Sequence, residues 1–114
     1  MSKINFDSLT SGLAVLIVSW EKCGPCVSQA PIFENLKKEY GERIPIEYGF
    51  FSTQELEEEG GEYREILKKL KEDYGAAQRF FPSIYVFKDN QVVNVFHHSR
   101  ELHFFLKSAH GESL

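Results

Sequence analysis

Trp20-Glu21-Lys22-Cys23-Gly24-Pro25-Cys26 holds the only tryptophan and both cysteines of a 114-residue chain. It follows directly on the apolar run Leu13-Ala14-Val15-Leu16-Ile17-Val18. That run is short, continuous and rich in β-branched residues, which predicts a strand buried on both faces of a sheet. From residue 26 to 40 apolar positions recur every three or four residues (Val27, Ala30, Ile32/Phe33, Leu36, Tyr40), which predicts a helix opened by the cysteine motif, kinked at Pro31 and ended by Gly41.

Working outward, residues 6–9 begin a brief helix and residues 44–51 read as the next strand, with Pro45 tolerated near its start. Residues 52–61 form a polar connection broken at Gly60-Gly61. A helix follows with Tyr63, Ile66/Leu67, Leu70 and Tyr74 on one stripe and Gly75 closing it. Residues 83–87 and 92–96 make a hairpin around Asp89-Asn90, a pair that tolerates positive φ. Residues 101–109 make a last helix with Leu102, Phe105/Leu106 and Ala109 inward. The order strand, helix, strand, helix, hairpin, helix implies an α/β fold with a mixed central sheet covered by helices on both faces. The length is that of one domain, residues 1–114, with no internal repeat or low-complexity tract.

Composition narrows function. Thirteen basic against 17 acidic residues leave a net charge of −4, so nothing points to nucleic acid. Five glutamates between residues 55 and 62 read as a solvated face. The apolar run at 13–18 is too short for a membrane span and lacks the basic flank of a signal peptide. A cytoplasmic protein, monomeric and away from membranes, is therefore expected. In that compartment a Cys-x-x-C pair is more often redox-active than a structural staple. A metal site would need more ligands, and His97, His98, His103 and His110 stand far from the cysteines without ligand spacing. No cofactor is implied.

Several motifs in order resemble thioredoxins: Cys23-Gly24-Pro25-Cys26 between a buried strand and a helix, Pro31 five residues later, "APIFENLKKEYG", "FFPSIYVFKDNQVVNVF" and "SRELHFFLKSA". The similarity spans roughly residues 13–110. It implies a thioredoxin fold with a short N-terminus and an extended helix before the strand that follows a cis-proline. It also implies that Cys23 is the attacking thiolate and Cys26 the buried resolving thiol. Pro82, after Phe81, would be cis and face the cysteines, and Trp20 would pack beside the motif, although core packing explains Trp20 equally well. The implied activity is thiol–disulfide exchange on disulfide-containing protein substrates, recharged by a reductant such as a thioredoxin reductase. Gly-Pro between the cysteines is the pairing of the family's reductants.

Elementary chemistry agrees with those roles. A residue at the N-terminus of a helix faces unpaired amides and the positive end of the macrodipole, which favour a thiolate at Cys23. Two intervening residues bring the second sulfur within disulfide reach. Gly24 leaves the approach to a partner's backbone open, and Pro25 suits the first helical turn.

Four departures from the family pattern bear on function. The place of its buried Asp before the motif is Ile17, leaving Glu47 or Glu21 as substitutes. Lys22 stands where Trp is usual. Extra length falls within 52–75. The second hairpin strand runs into His97 and His98 where the family has a glycine, and His98 aligns better with it, so a side chain is expected to narrow the substrate groove. These departures keep a second reading open: a thioredoxin-fold binding or accessory module with one specialised partner and weak general reductase activity.

Overall fold

The computed structural model describes residues 3–78 and 80–112, with side chains up to residue 109. A four-stranded mixed sheet has the order β2-β1-β3-β4, with β1 Leu13–Trp20, β2 Ile46–Phe51, β3 Ser83–Lys88 and β4 Gln91–Phe96. β1 pairs in parallel with β2 and antiparallel with β3, which pairs antiparallel with β4. Being central explains why β1 is apolar without alternation: residues Ala14 to Val18 are fully buried.

The two faces of β1 serve two cores. Ala14, Leu16 and Val18 pack with Tyr63, Ile66 and Leu70 of α3 (Glu62–Tyr74) and with Leu9 of a 3-10 helix at Phe6–Leu9. Val15 and Ile17 pack with Phe33, Leu36 and Tyr40 of α1 (Gly24–Tyr40) and with Leu102 and Leu106 of α4 (Ser99–Glu112). Helices thus cover both faces, as the element order implied.

Three local expectations need correction. Residues 52–61 are not all loop. Thr53–Glu57 is a short helix, α2, entered through a reciprocal cap in which Ser52 Oγ accepts from Glu55 N and Glu55 Oε1 accepts from Ser52 N. The helix before β3 is the 13-residue α3, closed by Gly75, and α2 stands apart from it. On α1, Val27 and Ile32 are exposed and the buried stripe is Cys26, Gln29, Phe33, Leu36 and Tyr40. Gln29 is inward because its Oε1 accepts the Ser99 amide at 2.7 Å, tying α1 to the start of α4.

Residues 3–5 form no strand. They are held by carboxylates instead, Glu62 accepting the Lys3 and Ile4 amides and Glu47 the Asn5 amide. At the hairpin, Asp89 and Asn90 have φ of 51° and 66°, the conformation of a two-residue turn matched to strand twist. Among the described residues no helix is long and apolar enough to cross a membrane.

Candidate active site

β1 ends at Trp20, and the chain turns so that Cys23 becomes the N-cap of α1. The Cys23 amide donates to Trp20 O at 3.1 Å, and Cys23 Sγ accepts the Cys26 amide at 3.1 Å. A sulfur thus fills the position usually held by a capping oxygen, where the helix supplies an unpaired N–H to a developing anion. Gly24 and Pro25 occupy the exposed first turn, and a Cβ at Gly24 would meet nothing within 4 Å. Lys22 is exposed at the turn.

Both cysteines are free thiols; Cys23 is half-buried and Cys26 fully buried. Burial is the main reason the Cys26 thiol is pushed up to about 12, and its hydrogen bond to Cys23 adds to it. The Cys26 proton is therefore held until something draws it off. Cys23 lies on the more accessible side of the motif.

Opposite the motif the Phe81–Pro82 peptide bond is cis. Cys23 Sγ lies 3.4 Å from Phe81 O, so the proline loop meets this sulfur directly. The Phe81 ring lies between Trp20 (centroids 5.6 Å apart) and Tyr63 (6.1 Å), and Trp20 Nε1 donates to Thr53 Oγ1. Trp20 therefore both packs and lines the site. The loop is braced from below: Tyr85 Oη donates to Gln78 Oε1, Gln78 Nε2 donates to Ser83 Oγ and Phe80 O, and Ser83 Oγ donates to Phe80 O. Gln78 gave no signal in the sequence, because its role exists only once β3 places Tyr85 and Ser83 beside it.

Of the two adjacent histidines, His97 is the one that stands at the cis-proline. His97 Nδ1 lies 3.2 Å from Pro82 O, with its ring edge-on to the exposed Phe80. His98 instead turns to the start of α4, its Nδ1 accepting the Arg100 amide and its carbonyl the Leu102 amide. The side chain beside the cis-proline is thus that of His97, with His98 turned away. The two carboxylates weighed as substitutes for a buried Asp are engaged elsewhere. Glu47 accepts from Asn5 N and Ser8 Oγ, and Glu21 accepts from Thr53 N. Ile17 is fully buried in apolar packing.

No family model matches the chain, and no curated protein sequence does. Solved structures do. Thioredoxin f from spinach chloroplast, in its short form, superposes with a TM-score of 0.66 at 22% identity, covering 96% of this chain and 90% of that one. The chain has the thioredoxin fold. Thioredoxin from Malassezia sympodialis gives 0.61 at 19%, covering 90% and 81%. A chain from the complex of ferredoxin:thioredoxin reductase with thioredoxin f2 gives 0.63 at 19%, covering 91% and 83%.

Proposed function

We propose that this thioredoxin-fold chain is a thiol–disulfide oxidoreductase that reduces protein disulfides through Cys23 and Cys26. The observation that carries the reading is the pairing of a half-buried Cys23 at a helix N-cap with a fully buried free Cys26 one turn on. Cys23 thiolate attacks one sulfur of a client disulfide, forming a mixed disulfide and releasing the first client thiolate. Cys26 then gives up its proton and attacks Cys23 Sγ, and the second client sulfur leaves with the bonding electrons. Client and protein exchange two electrons and two protons, and the pair ends oxidised.

The exposed side chains Phe80 and Val27 offer an apolar rim for a protein client. A similar structure is a complex with ferredoxin:thioredoxin reductase, so a disulfide reductase is the class of recharging partner to test first. The working location is the cytoplasm and the working state a monomer.

An insulin-turbidity assay with dithiothreitol tests the reading. Precipitation faster than the dithiothreitol background, abolished in Cys23→Ser and Cys26→Ser, is expected; background rate alone overturns it. The second reading, an accessory module with one specialised client, is favoured by His97 standing over the cis-proline. Background rate with insulin but rapid single-turnover exchange with a small disulfide supports that second reading.

A further inference from the structure

Beneath the motif the two-cysteine exchange leaves a pair of side chains unused. Ser19 Oγ and Tyr48 Oη are buried side-chain oxygens without a hydrogen-bond partner among the described residues. Ser19 is fully buried at the end of β1, and alternation places it on the same face as Val15 and Ile17, the face covered by α1. Tyr48 is the β2 residue in register with Ile17, packs on that same face and stacks its ring 5.6 Å from Phe33 of α1. Cys26 is buried on the first turn of α1, on the stripe that continues to Phe33. Two orphan hydroxyls and the resolving thiol therefore share one enclosed layer between sheet and helix.

We propose that the Ser19 and Tyr48 hydroxyls stabilise the thiolate of Cys26 as it forms in the resolving step, in a layer where no carboxylate is buried among the described residues. The inference rests on the proposed exchange role of Cys23 and Cys26. Unpaired buried hydroxyls are unfavourable and the surrounding packing does not require them, since Ala and Phe would fill the same places without an orphan oxygen. A hydroxyl rotor accepts from a thiol and, turned over, donates to a thiolate, so the pair suits both states of Cys26. The Ser19 hydroxyl favours the anionic form of Cys26 and likewise of Tyr48. Tyr48, pushed up to about 12 chiefly by burial, keeps its proton and is available to donate once the thiolate forms.

The other groups bearing on this layer are Cys23, the backbone at Trp20, and the Glu34 carboxylate on α1, whose charge opposes ionisation of Tyr48. In the step itself the Cys26 S–H bond breaks and the proton passes to solvent. The sulfur's electron pair forms the Cys26–Cys23 bond as the Cys23–client bond breaks, and the departing client thiolate takes up a proton. The hydroxyls begin and end the step protonated.

The test is stopped-flow exchange between reduced protein and dithiobis(nitrobenzoate). The first nitrothiobenzoate released reports attack by Cys23, and the second reports resolution by Cys26. Ser19→Ala and Tyr48→Phe are expected to leave the first phase unchanged and to slow the second about tenfold, the effect of one pKa unit at Cys26. The pH midpoint of the second phase moves up, the conservative variant Ser19→Thr restores the rate, and melting temperatures stay level or rise. A Cys23→Ser background gives a second measure, the pH profile of Cys26 alkylation, which shifts up in the same variants. Unchanged second phases and alkylation profiles in both variants overturn the inference while leaving the exchange reading intact. Loss of the first phase in the parent protein overturns the exchange reading and the inference with it.

Discussion

Cys23 Sγ lies 3.4 Å from the carbonyl oxygen of Phe81, the residue joined to Pro82 by a cis peptide bond. Strand β3 runs antiparallel to β1, with Ser83 in register with Val18, and this pairing brings the proline loop to the helix N-terminus where the cysteines stand. The Cys23 sulfur is thus held between a backbone amide on one side and a backbone carbonyl on the other.

Cys26→Ser is expected to trap the mixed disulfide with client proteins, because Cys23 still attacks and nothing resolves the product. Non-reducing mass spectrometry after mixing with a disulfide-containing client checks this. A stable adduct carried by Cys26→Ser and absent from Cys23→Ser is the expected result.

His97→Gly removes the ring beside Pro82 O and opens the groove next to Phe80. Reduction of a folded protein disulfide should accelerate roughly threefold, less than 1 kcal/mol in barrier. A small disulfide, which needs no groove, should react at the parent rate. Losing the hydrogen bond costs about 1 kcal/mol of stability. Comparative initial rates on the two substrates, with thermal melts, decide the matter.

Alkaline pH should destabilise the reduced protein. Burial raises Cys26 from an ordinary 9.0 to about 12, and Tyr48 and Tyr85 from 10.0 to about 12. Between those values the unfolded chain has lost protons that the folded chain retains, so stability falls as pH rises. The loss begins near the lower value, set by Cys26, and is complete above the upper one. Urea midpoints of reduced protein across this range should decline, and Cys26→Ala should flatten the first part of the decline.

Gly49→Ala tests the packing under β2. A Cβ there would fall 2.5 Å from the ring of the fully buried Phe51 and 3.2 Å from Ile4 Cδ1. Overpacking of this kind costs about 1–3 kcal/mol. Chemical denaturation should show the loss as a lower midpoint than the parent protein's.

Much of this molecule was legible before any coordinates. The unbroken apolar run of β1, the stripe of α3, the left-handed Gly75 and the Asp89-Asn90 turn are local patterns with local causes, and each element stands where its pattern put it. The cysteine motif was legible for the same reason, since its spacing and the helix it opens lie within one short segment. α2 carries a capping box in Ser52 and Glu55, but at five residues with none of them buried it has no apolar stripe to announce a helix.

What the sequence by itself determined is the layered α/β architecture and the identity of the two sulfurs, because periodicity and spacing act between neighbours along the chain. Tertiary structure alone decided which residues surround those sulfurs. It chose His97 over His98, because the end of β4 turns one ring toward Pro82 and the next toward the cap of α4. It engaged Glu47 and Glu21 elsewhere, and it brought Ser19 and Tyr48 together beneath Cys26 through the parallel register of β1 and β2. Such meetings depend on strand pairing between residues distant in the chain, for which a single sequence carries no local signal.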